Sequence, residues 1–202
     1  MRKLSSDAIG IIVLAAGFSK RFTDDKRQAL MPDGETLLDN TLKQIPATFR
    51  QRILILHPGD EDFAQAYQAN WRICIARDAA SGMGHSLASA IPLAKNWDAA
   101  LIALGDMPYV QSTTYSGLQK ALLDHPIVRP SYLGKAGNPV GFQSAYFSEL
   151  AALAGDQGAR KLLGKYANDV YLMDSEDSGI LKDVDIKADL PGIEAGKNST
   201  PF

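Results

Sequence analysis

The sequence predicts an α/β protein with three layers, in which helices cover both faces of a mostly parallel sheet. Two segments, Ile9–Leu14 and Ala99–Leu104, are apolar almost throughout, as are strands that are buried on both faces. Strand-like and helix-like segments alternate along the rest of the chain, which is typical of parallel strands connected by helices. Such sheets bind ligands beyond the carboxyl ends of their strands, so the residues that follow Leu14 and Leu104 are the first candidates for a site.

The other elements are predicted from local patterns. Residues 36–39 resemble a capping box, which opens a helix that runs towards Ile45 and stops before Pro46. Further patterns predict strands at residues 52–56, around Ile73, at 127–129, at 139–142 and near Val170 and Leu181, and helices at 60–69, 86–95, 114–123, 145–153 and 159–165. Since no repeat and no linker rich in Pro, Gly or Ser divides the chain, we expect one domain over residues 1–192 and a disordered tail over 193–202.

Composition narrows the class of protein. The 202 residues suit one domain with an adequate core, and contents of 46% hydrophobic and 22% charged residues are ordinary for a globular protein. The net charge of −2 argues against nucleic acid or an anionic membrane as a partner. Cys74 is the single cysteine, so it cannot form an internal disulfide. The sequence has neither the apolar core of a signal peptide nor a run of membrane-spanning length, and we expect a cytoplasmic location.

The loop after the first strand combines a bare backbone with cations. Residues 15–17, Ala-Ala-Gly, let a ligand approach main-chain N–H groups closely. Lys20, Arg21 and Lys26 follow within the same loop and could neutralise a triphosphate. The spacing fits neither the G-x-x-x-x-G-K-[ST] nor the G-x-G-x-x-G pattern, which disfavours a P-loop NTPase and a dinucleotide-binding dehydrogenase. An ordinary strand-to-helix turn with solvated cations is the alternative.

This loop resembles the L-A-[AG]-G-x-[SA]-x-R-…-K signature of nucleotidyltransferases with the MobA-like fold. Those enzymes transfer a nucleoside monophosphate from an NTP to an acceptor phosphate. The resemblance implies a three-layer, Rossmann-like nucleotidyltransferase fold, with Arg21 and Lys26 as catalytic cations beside the phosphates. It also implies nucleotide contacts at Leu14, Ala15, Ala16, Gly17 and Lys26. Thr23 departs from the signature, because a glycine usually occupies that position.

A carboxylate follows the second apolar strand, in the sequence Gly-Asp-Met-Pro at residues 105–108. A carboxylate repels a triphosphate unless a divalent cation lies between them, and Mg²⁺ binds through one or two carboxylates plus substrate phosphates. By position alone, Asp106 is as readily a turn residue. Gly-Asp-Met-Pro closely resembles the metal-binding motif of the family, which implies that Asp106 is catalytic and binds Mg²⁺.

A second carboxylate for the metal is offered by residues 183–189, Asp-Val-Asp-Ile-Lys-Ala-Asp. They resemble the D-[IV]-D-T-x-x-D ending of many family members, in which Asp185 matches the central aspartate. Ile186 replaces the usual Thr and Lys187 the usual Pro, so the match is partial. A metal ligand and a solvated acidic turn both remain open for Asp185.

A glycine-rich segment at residues 81–87 precedes a predicted helix, with Ser86 as the expected cap. Its backbone could hydrogen-bond a base or a ribose, although a plain glycine-rich turn is the alternative. The segment resembles the G-M-G-x-S-L sequence of the cytidylyltransferase branch, the relatives of molybdopterin cytidylyltransferase, and therefore implies CTP as substrate. The residues implied to bind the nucleotide are Ser81, Gly82, Met83, Gly84 and Ser86.

Two later segments resemble the acceptor side of the family. Residues 137–142 resemble G-[HN]-P-x-x-[FL], and residues 155–160 resemble G-D-x-G-A-R at the start of a predicted helix. Helix N–H groups and a guanidinium can together hold a phosphate monoester, although a capped surface helix with a solvated Arg is the alternative. The residues implied to bind the acceptor are Asn138, Pro139, Gly158 and Arg160.

These segments stand in the family's order between Ile9 and Asp189, and together they imply a molybdenum cofactor cytidylyltransferase. The implied reaction transfers CMP from CTP to the phosphate of molybdopterin or of the molybdenum cofactor and releases pyrophosphate, with Mg²⁺ as cofactor and a molybdoenzyme as recipient of the product. Two alternatives stay open. One is a sugar- or polyol-phosphate nucleotidyltransferase, and the other is a non-catalytic, cofactor-handling partner of a molybdoenzyme.

Overall fold

The computed structural model describes residues 4–17 and 25–184. Within them, one sheet contains the strands β1 (Ile9–Leu14), β2 (Arg52–Leu56), β3 (Arg72–Ile75), β4 (Ala99–Leu104), β5 (Ile127–Tyr132), β6 (Lys135–Ala136), β7 (Val140–Gln143) and β8 (Val170–Asp174). Their order is β3-β2-β1-β4-β7-β5-β6, and β8 pairs with β5. The pairs β1–β2, β1–β4, β2–β3 and β5–β8 are parallel, whereas β7 runs antiparallel to β4 and β5, and β6 to β5. The predicted mostly parallel sheet is confirmed.

Helices cover both faces of this sheet. The α-helices are α1 (Leu37–Lys43), α2 (Glu61–Gln65), α3 (Met83–Ala90), α4 (Ser112–Ala121), α5 (Phe147–Ala151) and α6 (Arg160–Lys165). Alternate residues of β1 enter different hydrophobic clusters: Ile11 and Val13 pack with α1, α2 and α4, and Ile12 packs with α3, α5 and α6. The three layers are therefore helices, sheet and helices, and β1 is buried on both faces as its composition predicts. No helix within the described ranges combines the length and apolar character needed to cross a membrane.

Several predicted boundaries differ from those in the structure. Thr36 caps α1 as expected, because its Oγ1 accepts a hydrogen bond from the Asp39 N–H at 3.1 Å. The helix predicted at 86–95 instead begins at Met83 and gives way to a 3-10 turn at Ile91–Ala94, where Pro92 lacks an N–H for the α-helical ladder. The strand predicted near Leu181 is wrong. Residues Ser178–Leu181 form a 3-10 turn that is capped by the side chain of Asp177.

The register of two strands brings two loops together. Leu14 at the end of β1 pairs with Leu104 at the end of β4, so the loops that follow them leave the sheet side by side. The Gly105 N–H donates to the Leu14 carbonyl at 2.9 Å. A Cβ on Gly105 would lie 3.0 Å from the Cβ of Ala15, so only glycine fits here without a shift. The two candidate loops thus share one edge, as expected for a ligand site of an open parallel sheet.

A strap formed by residues 177–184 closes this edge from the side of α4. The Asp177 carboxylate is 4% exposed and accepts hydrogen bonds from the N–H groups of Gln111 and Gly179 and from the Thr114 hydroxyl. At the other end of the strap, the Val184 N–H donates to the Asp106 carbonyl at 2.9 Å. These contacts place Asp183 beside the loop after β4.

Candidate active site

A cavity of about 490 Å³ opens at the carboxyl edge of β1 and β4. The residues that line it are Leu14, Ala15, Ala16, Gly17, Lys26, Arg27, Leu37, Ala79, Ala80, Gly82, Met83, Ser86, Leu104, Gly105, Asp106, Asp156 and Asp183. Among the predicted nucleotide-binding residues, only Ser81 and Gly84 do not line it. Arg21 and Asp185 lie outside the described residues. Lys26, Asp106 and Asp183 line the cavity at the loop after β4, whereas Ala79, Ala80 and Met83 line it towards α3 together with Ser86 and Asp156.

Two predicted catalytic residues form an ion pair in this cavity. Lys26 lies in a 3-10 turn, Lys26–Gln28, which Asp25 caps by accepting a hydrogen bond from the Arg27 N–H. The Lys26 Nζ atom lies 2.6 Å from Asp106 Oδ2, and it also donates to the Val184 carbonyl at 3.1 Å. The turn, the loop after β4 and the strap therefore converge on one ammonium group.

The Asp106 carboxyl group lies in an unfavourable environment for a charge. Burial raises its pKa above the ordinary value, the Lys26 ammonium group opposes that shift, and the Asp183 carboxylate adds to it. Oδ2 is paired with Lys26, but Oδ1 is buried and has no hydrogen-bond partner in the described part of the chain. A buried oxygen without a partner, beside a second carboxylate, is a fitting ligand set for a hard divalent cation.

Asp183 supplies a carboxylate beside Asp106 in the cavity, whereas the sequence pattern points to Asp185 as the second metal ligand. Its signal was present, because Asp183 is the first aspartate of the same acidic motif. Residues 4–17 and 25–184 contain no group of three or more His, Cys, Asp or Glu side chains arranged around a metal position. A cation bound between Asp106 and Asp183 would therefore need oxygens from water or substrate, as Mg²⁺ sites in phosphoryl-transfer enzymes commonly do.

The glycine-rich segment before α3 packs tightly against the loop at residues 155–158. Gly82 has φ +115°, and a Cβ on it would lie 2.5 Å from backbone atoms of Gly155 and from Asp156 Oδ1. The Gly84 N–H donates to the Gly155 carbonyl at 2.7 Å. The expectation that Ser86 caps the helix is wrong, because α3 already begins at Met83 and the Ser86 N–H donates to the Gly82 carbonyl.

The predicted acceptor residues lie away from the main cavity. Gly158 borders a second cavity of about 510 Å³, formed by residues 152–158 and Lys161, and Asp156 borders both cavities. Arg160 is exposed at the start of α6. The Asn138 N–H donates to the Ile180 carbonyl at 3.0 Å, and the peptide bond between Asn138 and Pro139 is cis. None of the four lines the main cavity, and their acceptor role stays a prediction.

Two other cavity residues were missed at the level of sequence. Arg27 follows Lys26 directly, yet its guanidinium points to Asp60 and to the Ala15 carbonyl rather than to Asp106. Asp156 belongs to a segment that was assigned to the acceptor side, but its carboxylate lies beside Gly82. Only their tertiary contacts identify them, because an isolated Arg or Asp carries no local signal of its partner.

Comparison with known proteins places this site in a family. The model of the MobA-like NTP transferase domain matches residues 11–170. The purine catabolism protein PucB of Bacillus subtilis is 30% identical over 187 residues, which cover 86% of this chain and 90% of that protein. The crystal structure of Rv0371c from Mycobacterium tuberculosis superimposes with a TM-score of 0.77 at 29% identity, covering 94% of this chain and 96% of that one. A manganese complex of Rv0371c superimposes with a TM-score of 0.72 at 28% identity, covering 92% and 99%. The chain is a nucleotidyltransferase that belongs to the MobA-like NTP transferase family.

Proposed function

We propose that the protein transfers CMP from CTP to the phosphate of molybdopterin, or of its metal-loaded form, and releases pyrophosphate. The observation that carries this proposal is the grouping around one cavity of three sequence segments. These are the small-residue loop at 15–17, the Lys26–Asp106 pair, and the segment at 82–86 that resembles the cytidylyltransferase branch. The N–H groups of residues 15–17 and Lys26 would receive the triphosphate, and the pyrimidine would lie against the small residues Ala79, Ala80 and Gly82, which line the same cavity.

The reaction requires positioning more than proton transfer. An oxygen of the acceptor phosphate attacks the α-phosphorus of CTP, a new P–O bond forms, and the bond to the β-phosphate oxygen breaks. Because the attacking oxygen is already anionic, no general base is needed. Backbone N–H groups of residues 15–17 would hold the triphosphate, while Lys26 and Arg21 would offset the charge that develops on the departing pyrophosphate.

The carboxylates of Asp106 and Asp183 would hold a magnesium ion, with Asp185 as a further candidate ligand. The Oδ1 of Asp106, which has no hydrogen-bond partner among the described residues, and the neighbouring Asp183 support this assignment. A bound magnesium ion would neutralise phosphate charge and orient the α-phosphate. Lys26, which contacts Asp106 directly, would then shift its contact from the carboxylate to phosphate oxygens.

The acceptor would approach from the side of residues 155–160. The second cavity adjoins the first at Asp156, so a molecule seated there would face the nucleotide. Gly158 and Arg160 would contact the acceptor phosphate, and Asn138 and Pro139 would border the acceptor. The product would pass to a molybdoenzyme.

Mass spectrometry of the reaction products tests the proposal. The full chain is incubated with each of the four NTPs, Mg²⁺ and purified molybdopterin, and in parallel reactions with sugar phosphates and polyol phosphates. We expect a cytosine dinucleotide of molybdopterin, pyrophosphate release, and a clear preference for CTP over GTP. A nucleotide sugar or polyol as the main product, a preference for GTP, or no pyrophosphate from any acceptor would overturn it.

A further inference from the structure

The Arg27 guanidinium uses all five of its N–H groups inside the protein. Nε donates to Asp25 Oδ1 at 2.8 Å, and Nη2 donates to Asp25 Oδ2 at 2.7 Å and to Asp60 Oδ1 at 2.9 Å. Nη1 donates to Asp60 Oδ2 at 2.5 Å and to the Ala15 carbonyl at 3.0 Å. Each carboxylate is thus bound through both oxygens, which only the planar fork of an arginine permits.

This side chain is also held by packing. It is 12% exposed, and its guanidinium carbon lies 4.9 Å from the centre of the Phe63 ring. Burial alone would lower its pKa, but the hydrogen bonds to Asp60 and Asp25 reverse the effect and raise it, so the group remains charged. Asp60 is held in turn, since its Oδ2 also accepts a hydrogen bond from the His57 N–H at 2.8 Å.

Three segments of the site meet at Arg27. Ala15 directly follows the first strand and begins the small-residue loop, Asp60 precedes α2, and Arg27 itself belongs to the turn that carries Lys26. Within that turn, Lys26 pairs with Asp106 and Arg27 pairs with Asp60. The turn is therefore anchored by its two consecutive cations, each to a different segment.

We infer that Arg27 is a positioning residue for the nucleotide, acting through Lys26 and through the carbonyl of Ala15. With every N–H already donated, Arg27 does not bind phosphate itself. Its fork fixes the distance between the turn and the end of the first strand, and so sets where the Lys26 ammonium group stands relative to residues 15–17. A lysine at this position could not pair with two carboxylates and a carbonyl in this geometry. The inference rests on the proposed function, because the positioned ligand is a nucleoside triphosphate.

A double-mutant cycle measured by calorimetry tests this role. The dissociation constant of CTP with Mg²⁺ is measured for the unmodified protein, Arg27→Lys, Lys26→Ala and the double variant, with ATP, GTP and UTP in parallel. We expect Arg27→Lys to raise the dissociation constant of the preferred nucleotide by about tenfold. In the Lys26→Ala background, the same substitution should raise that constant by less than about twofold. A purely structural role would lower stability without this dependence on Lys26.

Arg52→Lys is the matched control. Arg52 is also partly buried, lies 5.4 Å from the Trp71 ring and donates to the carbonyls of Phe49 and Pro46, but it sits at the start of β2, away from the cavity. The Arg52→Lys variant should lose thermal stability without losing nucleotide affinity. Asp60→Asn, which keeps the shape of its side chain, should reproduce the weaker binding of Arg27→Lys if Arg27→Lys fails to fold.

The outcomes separate this inference from the proposed function. Unchanged nucleotide affinity in both Arg27→Lys and Asp60→Asn would overturn the positioning role and leave the proposed function standing. If Arg27→Lys weakens nucleotide binding by the same factor whether residue 26 is Lys or Ala, Arg27 does not act through Lys26. That result would also overturn the positioning role. If none of the four nucleotides binds the unmodified protein, the proposed function and the inference both fail.

Discussion

The ammonium group of Lys26 lies 2.6 Å from Asp106 Oδ2, on the carboxylate proposed to hold the metal. The two residues are 80 positions apart in sequence, and both side chains are largely shielded from solvent, with 16% and 24% of their surface exposed. A cation of the protein thus already neutralises the carboxylate. In the proposed reaction, binding of a metal with its nucleotide would exchange one cation for another at Asp106, and Lys26 would move to the phosphates.

This exchange predicts that replacing Lys26 has opposite effects on metal binding and on turnover. Lys26→Met removes the competing cation, so Mn²⁺ alone should bind the nucleotide-free protein more tightly, by about tenfold, while Lys26→Ala should lower turnover by at least ~100-fold. Electron paramagnetic resonance of free Mn²⁺ gives the affinity, and pyrophosphate release gives the rate. Lys43→Met is the control, because its ion pair with Glu35 is exposed and remote from the cavity. Weaker Mn²⁺ binding in Lys26→Met would contradict the exchange.

The ionised carboxylate of Asp106 should destabilise the fold at neutral pH, although we expect it to be needed for nucleotide binding. Its pKa is raised above 3.8, mainly by burial, so the folded state holds the proton more tightly than the unfolded state. The free energy of unfolding should therefore fall as the pH rises from about 3.8 to the raised pKa of Asp106, relative to Asp106→Asn, which has no such proton. Urea unfolding of both proteins across this range measures the difference.

Asp106→Asn should at the same time lose Mg²⁺-dependent binding of CTP. The amide keeps the shape of the carboxylate but not its charge, so binding should be lost while the protein stays folded. Asp183→Asn tests the second carboxylate in the same assay. Nucleotide binding that survives Asp106→Asn, or that persists in excess chelator, would reduce Asp106 to a turn residue.

Sequence patterns predicted those parts of the site that directly follow a strand. Residues 15–17 and Asp106 come after the two segments that are apolar on both faces, and the fold places such segments side by side in the middle of a parallel sheet. The helix cap at Thr36 could also be predicted from local sequence, because capping depends on four consecutive residues.

Contacts between distant segments could not be predicted in this way. Asp60 is 33 residues from Arg27, and Asp177 is 63 residues from Thr114, and neither aspartate differs locally from other acidic residues of the chain. The cap at Ser86 was misplaced for a related reason. The positive φ of Gly82, which starts α3 early, is fixed by close packing against Gly155 and not by the local sequence.

Asp177 should be needed to assemble the site although it does not line the cavity. Asp177→Ala leaves the buried Thr114 hydroxyl and Gly179 N–H and the partly buried Gln111 N–H without this acceptor, and we expect a loss of about 2–4 kcal/mol in the free energy of unfolding. Because the same strap carries Asp183, CTP binding should also weaken. Asp174→Ala, at an exposed position on β8, is the control. Equal stability of the two variants would show that the strap is held by other contacts.

Gly17 should matter for the ligand and not for the fold. A Cβ on Gly17 would have no described atom within 4 Å, and its φ lies outside the left-handed range, so the folded chain can accept alanine there. The same Cβ would stand in the cavity, where the triphosphate is proposed to approach the backbone, and should weaken CTP binding by about tenfold or more.

Gly82→Ala should behave differently, because its backbone strain and its 2.5 Å contact with Gly155 should lower the thermal midpoint as well. Gly164→Ala, on α6 with open space around it, serves as a control for glycine replacement and should leave binding unchanged. Thermal unfolding and calorimetric titration with CTP and Mg²⁺ separate these variants. Normal CTP affinity in Gly17→Ala would mean that the triphosphate does not lie against residues 15–17.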